Sequence, residues 1–346
     1  MKLLIRATNW VGDAILSLPA LRAVRAKFPD AHICILARPY VADIYRDQQI
    51  CDELIAYDVR GSHYGWKGRE LLVRELRARK FDVALLLQNA FDAAWVAWRS
   101  KIPERVGYAR DGRAMLLTRA TPVPKDGEIP PHEKFYYLEL LRRAGWIDSL
   151  PDDEHIDLRV PEAARKRAAL MLAEFGARPD ALRVAVGAGA SYGSAKCWAP
   201  ERFAKVLNEI CQNDGIDVVL FGTDAEAGVS EAIKSGMRRP AVDLTGKTRI
   251  ADLPALLSQC HLFLGNDSGA MHVAAAVGLP VVAVFGPTDP QGTAPVTPRA
   301  SIVQQQPYCS PCFLRHCPTD HRCMNGVTVE LVELAMRTRI AEVLSA

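Results

Sequence analysis

The sequence has no long hydrophobic run. Although 49% of its 346 residues are hydrophobic, no apolar stretch reaches the roughly 18 residues that a bilayer-spanning helix needs. No secretory leader is expected either, because Met1-Lys2-Leu3-Leu4-Ile5-Arg6 is charged too soon and its apolar part is too short for one. That stretch reads as the first strand of a cytoplasmic protein. Internal repeats and low-complexity tracts are absent, which leaves an ordinary globular chain. The turn after the first strand, Thr8-Asn9-Trp10-Val11-Gly12-Asp13, lacks the G-x-G-x-x-G fingerprint, which argues against a NAD-type half. An overall charge bias is lacking as well, since the net charge is only +3.

The distribution of that charge is uneven. Residues 60–119 carry 13 Lys/Arg against 6 Asp/Glu, whereas residues 161–346 carry 18 of each. A local basic surplus points to something anionic: a phosphorylated or carboxylated substrate, an acidic membrane surface, or nucleic acid. Solvated helix faces account for part of it, for instance Arg74, Arg77, Arg79 and Lys80.

What is present is a repeated alternation of strand-length and helix-length patterns. Leu3–Ala7, Ile33–Ala37, Leu54–Tyr57 and Val83–Leu87 are short apolar runs in the first half. Ile15, Leu18, Leu21 and Val24 mark a helix over Ala14–Lys27, with Pro19 implying a kink or a separate first turn. In the second half the strands are Val184–Val186, Val218–Phe221, Val242–Leu244, Leu262–Leu264 and Val281–Phe285. Such alternation predicts an α/β fold of two doubly wound, Rossmann-like domains, 1–160 and 161–346, with ligands in the cleft between them at the carboxyl ends of the strands. Charge and proline rise around Pro151-Asp152-Asp153-Glu154 to Pro161, which places the connection between about Leu150 and Pro179.

The chemistry sits on strand-to-helix turns. Gly265-Asn266-Asp267-Ser268-Gly269-Ala270-Met271-His272 follows a buried-strand pattern and opens a small-residue helix that Gly278 and Pro280 stop. Such a turn aims unpaired N–H groups and a helix dipole at one point, a seat for phosphate. Capping alone would explain Asp267 or Ser268, but not four polar types within one turn. The loop from Gly187 to Trp198 offers Ser191 and Lys196 among small residues, a hydroxyl and a cation for phosphate oxygens. Phe221-Gly222-Thr223-Asp224-Ala225-Glu226 places acids where a ribose could be held. Asp13 reads either as a helix N-cap or as an exposed carboxylate available as a general base.

Trp10-Val11-Gly12-Asp13, Lys196-Cys197-Trp198, the Gly265–His272 stretch and Phe285-Gly286-Pro287-Thr288 together resemble glycosyltransferase family 9, the lipopolysaccharide heptosyltransferases, particularly those of the heptosyltransferase II type. The resemblance covers nearly the whole chain, with the motifs in the family's order. It implies a GT-B fold with the acceptor on the first domain and the nucleotide sugar on the second. The implied donor is ADP-heptose, and the acceptor a heptosylated, phosphorylated, Kdo-bearing lipid A core at the cytoplasmic face of the inner membrane, with no nucleic acid. By the same resemblance Asp13 is the catalytic base and Ser191 and Lys196 form the phosphate loop. Asp267 holds the donor sugar, Ser268, Gly269 and His272 surround the pyrophosphate, and Glu226, or Asp224, contacts the ribose. Tyr192 departs from the family, which often has a second hydroxyl there. No Asp-x-Asp occurs in the chain, so transfer is expected to need neither metal nor cofactor.

Two other readings share such a scaffold: a sugar-nucleotide 2-epimerase and a non-catalytic nucleotide-sugar binder. The other family 9 transferases remain alternatives for the acceptor. The cysteine loop Cys309-x₂-Cys312-x₄-Cys317-x₅-Cys323, with His316 and His321 interleaved, allows reduced packing thiols, a zinc site of irregular spacing, or a disulfide.

Overall fold

Short aliphatic runs become the strands of two parallel sheets in a computed structural model that describes residues 1–212 and 215–345. The chain divides into two units, Met1–Asp153 and Glu154–Ala346. In the first, β1 (Lys2–Arg6) leads through α1 (Val11–Leu16) and α2 (Leu18–Lys27) to β2 (His32–Ala37), then α3 (Pro39–Tyr45) and β3 (Glu53–Ala56). Next come α4 (Gly65–Arg79), β4 (Val83–Leu86), α5 (Phe91–Arg99), β5 (Glu104–Tyr108), β6 (Arg119–Thr121) and α6 (Glu133–Arg143). The sheet order is β3-β2-β1-β4-β5-β6, so the chain reverses direction of growth between β1 and β4. Leu4, Leu36, Leu72, Leu76 and Leu86 are fully buried members of the cluster that seals one face of this sheet.

The second unit runs α7 (Glu162–Glu174), β7 (Leu182–Gly187), α8 (Pro200–Ile210), β8 (Ile216–Leu220), α9 (Ala227–Gly236), β9 (Val242–Asp243) and α10 (Leu253–Leu257). It continues with β10 (Leu262–Asn266), α11 (Gly269–Ala276), β11 (Val281–Phe285), α12 (Pro290–Thr293), β12 (Ala300–Gln304), α13 (Arg322–Gly326) and α14 (Val329–Ser345). Its order, β12-β11-β10-β7-β8-β9, repeats the first unit's topology, with the reversal between β7 and β10. Every strand pair is parallel and the inner strands are buried, as sheets covered on both faces require.

The separate first turn that Pro19 implies is there: the Ala14–Lys27 stretch is two helices that part at Ser17, and Pro19 sits in the first turn of α2, where its missing N–H costs nothing. Two differences from the sequence reading have physical reasons. Strands β5, β6 and β12 have polar or exposed ends, so their apolar runs are too short to stand out. The division between units falls at 153/154 rather than 160/161. Ile156 and Leu158 are buried, and the Leu158 N–H donates to the Ala276 carbonyl at 2.7 Å. Asp152 and Asp153 are instead held by Lys134 of α6, at 3.0 and 2.6 Å.

Candidate functional site

At the reversal point of the second unit, Gly187 of β7 lies opposite Gly265 of β10. A Cβ on Gly265 would come within 2.6 Å of the Gly187 carbonyl oxygen. The strands can carry no side chain there, and the loops that follow start close together. Asn266, fully buried at the end of β10, donates from Nδ2 to the Ala188 carbonyl at 2.5 Å and accepts the Trp198 N–H on Oδ1 at 3.1 Å. One amide therefore ties both ends of the 188–198 loop to the neighbouring strand. The Trp198 indole is buried and donates to the Val327 carbonyl at 2.9 Å, which anchors the loop's far end in the core.

Lys196 leaves this loop from a 3₁₀ turn, Ser194–Lys196, and its ammonium donates to Asp267 Oδ2 at 2.5 Å. The Thr288 hydroxyl donates to the same oxygen at 2.6 Å. Both charged groups are largely removed from water. Burying such a pair yields little net stability, so its presence at a strand end is better read as a site than as a staple. Ser268 caps α11 from an extended conformation, but its buried hydroxyl oxygen has no hydrogen-bond partner among the described residues. Gly269 is the first residue of α11 and His272 is buried one turn further on. The first N–H groups of that helix and its dipole thus lie beside the Lys196–Asp267 pair.

Glu226 reaches the same rim. Its Oε2 accepts the Thr223 N–H at 2.7 Å and the Thr223 hydroxyl at 2.9 Å, and its Oε1 would lie 1.7 Å from a Cβ on Gly189. It therefore runs along the start of the 188–198 loop, while Asp224 packs beside Gly246. Ser191 is exposed on that loop. Lys196, Asp267, Ser268, Gly269, His272 and Glu226 share one end of one sheet.

Two features escaped the sequence reading. Thr288 was recognised only as part of a motif, not as a ligand of Asp267. Residues 307–322 form a brace against the phosphate-type loop. The Phe313 carbonyl accepts the Tyr192 hydroxyl at 2.6 Å, the Arg315 carbonyl accepts the Ala195 N–H at 3.0 Å, and His316 Nδ1 meets the Ser194 hydroxyl at 3.1 Å. The Pro287 carbonyl accepts the Cys312 and Phe313 N–H groups, which fixes the brace to the strand end that carries Thr288. Tyr192 thus has a structural role, and its ring lies 4.7 Å from the Lys196 ammonium and 5.4 Å from the Arg315 guanidinium carbon. The backbone contacts of the brace carry no sequence signature.

All nine cysteines are free thiols. Cys309 and Cys312 are exposed, while burial pushes the Cys323 thiol up. Among the described residues, the only three metal-ligand atoms mutually within 4.8 Å belong to His32, Cys34 and Glu53. Arg79 already holds Glu53 there through bonds of 2.5 and 2.6 Å.

In the first unit Asp13 is the third residue of α1, and Trp10 occupies the N-cap. Asp13 is therefore not the N-cap residue itself but lies in the first turn, where its charge is favoured by the helix dipole. Two buried phenols feel that charge. Tyr45 is pushed up to about 12 and Tyr137 well above its usual value, both chiefly by burial, with Asp13 adding to each. At the carboxyl ends of β4 and β5 the fully buried Arg113 donates to the Gln88 and Tyr108 carbonyls and to Asn89 Oδ1, and Asn89 Nδ2 donates to the Tyr136 hydroxyl at 2.8 Å. Burial raises the Glu133 carboxyl nearby.

Comparison with known proteins places this geometry. The profile of glycosyltransferase family 9 (heptosyltransferase) matches residues 69–322. Lipopolysaccharide heptosyltransferase 2 of Salmonella typhimurium is 29% identical over 312 residues, which cover 88% of each chain. The solved structure of E. coli ADP-heptose LPS heptosyltransferase II is 25% identical, with a TM-score of 0.81 over 99% of each chain. A family 9 structure from Veillonella parvula, 23% identical, shares the fold at a TM-score of 0.84, covering 99% and 97% of the two chains. The two repeated parallel sheets are those of the GT-B class. On this evidence of profile, sequence and fold, the chain belongs to glycosyltransferase family 9, the heptosyltransferases.

Proposed function

We propose that the protein transfers L-glycero-D-manno-heptose from ADP-heptose to the heptosyl-Kdo₂-lipid A inner core of lipopolysaccharide, with inversion and without a metal ion, at the cytoplasmic face of the inner membrane. The names of the relatives support the donor and acceptor. The observation that carries the reading is the Lys196–Asp267–Thr288 cluster beside the N-terminus of α11. It supplies a cation and helix N–H groups for a departing diphosphate, in a site largely closed to water. The chain has no Asp-x-Asp to hold a metal there.

In this reading the second unit binds the donor. Lys196, Ser191, Ser268, Gly269 and His272 take the pyrophosphate, Asp267 the sugar hydroxyls, and Glu226 the ribose. The first unit binds the acceptor, and Asp13 accepts the proton of the acceptor hydroxyl as that oxygen attacks the anomeric carbon. The bond to ADP breaks on the opposite face through an oxocarbenium-like state. The basic surplus of the first unit matches the phosphates and carboxylates of such an acceptor.

The test is ADP release from ADP-heptose with and without monoheptosylated Kdo–lipid A, in the presence of EDTA. Acceptor-dependent release that survives the chelator is the expected result. Loss of release on adding EDTA would overturn the metal-free leaving-group account. Release with a Kdo-only acceptor instead would assign the first heptose addition.

A further inference from the structure

Half of the six tryptophans of the chain, Trp66, Trp95 and Trp98, lie on helices α4 and α5 of the first unit. On α5, Phe91, Trp95 and Trp98 follow the i, i+4, i+7 spacing of one helix face, while Ala93, Ala94, Val96 and Ala97 are buried on the other. Phe91 and Trp98 are 47% and 46% exposed. Trp66, 63% exposed at the start of α4, sets its ring 5.2 Å from that of Trp95, and Tyr64 before it is 75% exposed. By contrast, Trp146 and Trp198 are buried. A large aromatic surface left in water by a folded unit marks an interaction face.

The charges around it are mostly basic. Residues 60–101 hold nine Lys/Arg against four Asp/Glu. The acids on these two helices are engaged: Glu70 accepts from Arg99 at 2.9 Å, Asp92 pairs with Arg69 at 3.0 Å, and Glu75 faces His63 at 3.4 Å. Lys67 and Arg74, seven residues apart and therefore on one side of α4, are exposed. No helix among the described residues is long and apolar enough to cross a membrane, so these helices can only lie along a surface. Indole and phenol rings settle at the headgroup level of a bilayer, and lysine and arginine draw such a face towards anionic lipid. A second copy fits less well, because a symmetric contact would set this basic face against itself.

We propose that the α4–α5 face, through Trp66, Trp98 and Phe91 flanked by Lys67 and Arg74, docks the protein on an anionic lipid surface. This deepens the membrane part of the proposed function, and its test needs no heptose transfer.

The experiment is co-sedimentation of the full chain with acceptor-free vesicles of phosphatidylethanolamine and phosphatidylglycerol, or of phosphatidylcholine alone. Binding to the anionic vesicles should be about tenfold tighter and should weaken with salt. Lys67→Glu/Arg74→Glu should remove that preference. Trp66→Ala/Trp98→Ala should lower binding about tenfold while keeping the salt dependence. Unchanged circular dichroism and melting temperature would show that both variants fold. Equal binding to the two vesicle types, or variants that bind like the parent, would overturn the proposal. So would a dimer that Trp98→Ala disperses without any vesicle binding. Failure here with acceptor-dependent ADP release intact would leave the transferase reading standing, and the converse result would leave the docking face standing.

Discussion

The two units share one strand order and one reversal point, yet they spend those positions differently. Where β7 meets β10, paired glycines, a buried asparagine staple and a Lys–Asp–Thr cluster converge within hydrogen-bond distance. Where β1 meets β4, Asp13 stands at a helix start near buried phenols, and Arg113 and Asn89 organise carbonyls and a tyrosine hydroxyl. The first arrangement is rich in small residues and holds a buried ion pair. The second sets a carboxylate near two buried phenols and buries an arginine on backbone carbonyls. Equal topology thus positions a site without deciding its ligand.

The largest expected effect separates those two roles. Asp13→Asn should lower turnover by about 10²- to 10⁴-fold, the range for losing a general base, with ADP affinity unchanged by calorimetry. Loss of ADP affinity in this variant would remove the division of labour between the units. Next comes Lys196→Ala, which leaves the Asp267 carboxylate buried beside Thr288 alone. Removing one partner of a buried pair costs about 3 kcal/mol, so both the melting temperature and ADP affinity should fall. Lys196→Met/Asp267→Asn should restore much of the stability but none of the turnover. Recovery of turnover in that double variant would show that the cluster is structural.

Much of this was legible in the sequence, and the reasons differ by residue. Strand cores such as Val281–Phe285 announce themselves because a strand buried on both faces is continuously apolar. The Gly265–His272 turn is visible because glycine and polar residues interrupt that pattern at one point. Lys196 and Asp267 were each nominated, but their contact spans 71 positions and no local spacing encodes it. The motifs name Thr288 and Asn266 but not their contacts, for the same reason: their partners are backbone or distant side chains. The brace from Pro307 to Arg322 was hidden more deeply, because its cysteines drew attention to metal chemistry while its contacts are mostly main-chain carbonyls. The exposed aromatic stripe of α5 was hidden because a helical period does not say which face meets water.

A smaller effect tests how closely the second unit's rim is fitted. Gly189→Ala would drive its Cβ into Glu226 Oε1, which lies 1.7 Å from the ideal position. Glu226 must then rotate and release Thr223, whose N–H and hydroxyl it now accepts. ADP affinity should fall about tenfold, with stability reduced by about 1 kcal/mol, the cost of a lost capping interaction. If ribose-free pyrophosphate loses as much as ADP does, Glu226 shapes the loop rather than holding the ribose.

The smallest effect probes a charge that the first unit buries for structure rather than chemistry. Glu139 of α6 is fully buried; its Oε2 accepts from Arg142 at 2.7 Å, and its Oε1 accepts from Arg142 at 2.8 Å and Arg143 at 2.5 Å. Burial alone would raise its pKa, but the bonds from the two arginines outweigh it, and the net shift is downward from 4.5. A carboxylate depressed in the folded state stabilises it fully above the unfolded value and loses that contribution as pH falls through the folded one. Because both arginines keep contact with water, Glu139→Gln should cost only about 1 kcal/mol at neutral pH. The gap between parent and variant in urea denaturation should hold from pH 7 to pH 5 and narrow only as the pH falls below 4.5. A gap that persists unchanged in acid would mean that the glutamate acts by shape and hydrogen bonding, not by charge.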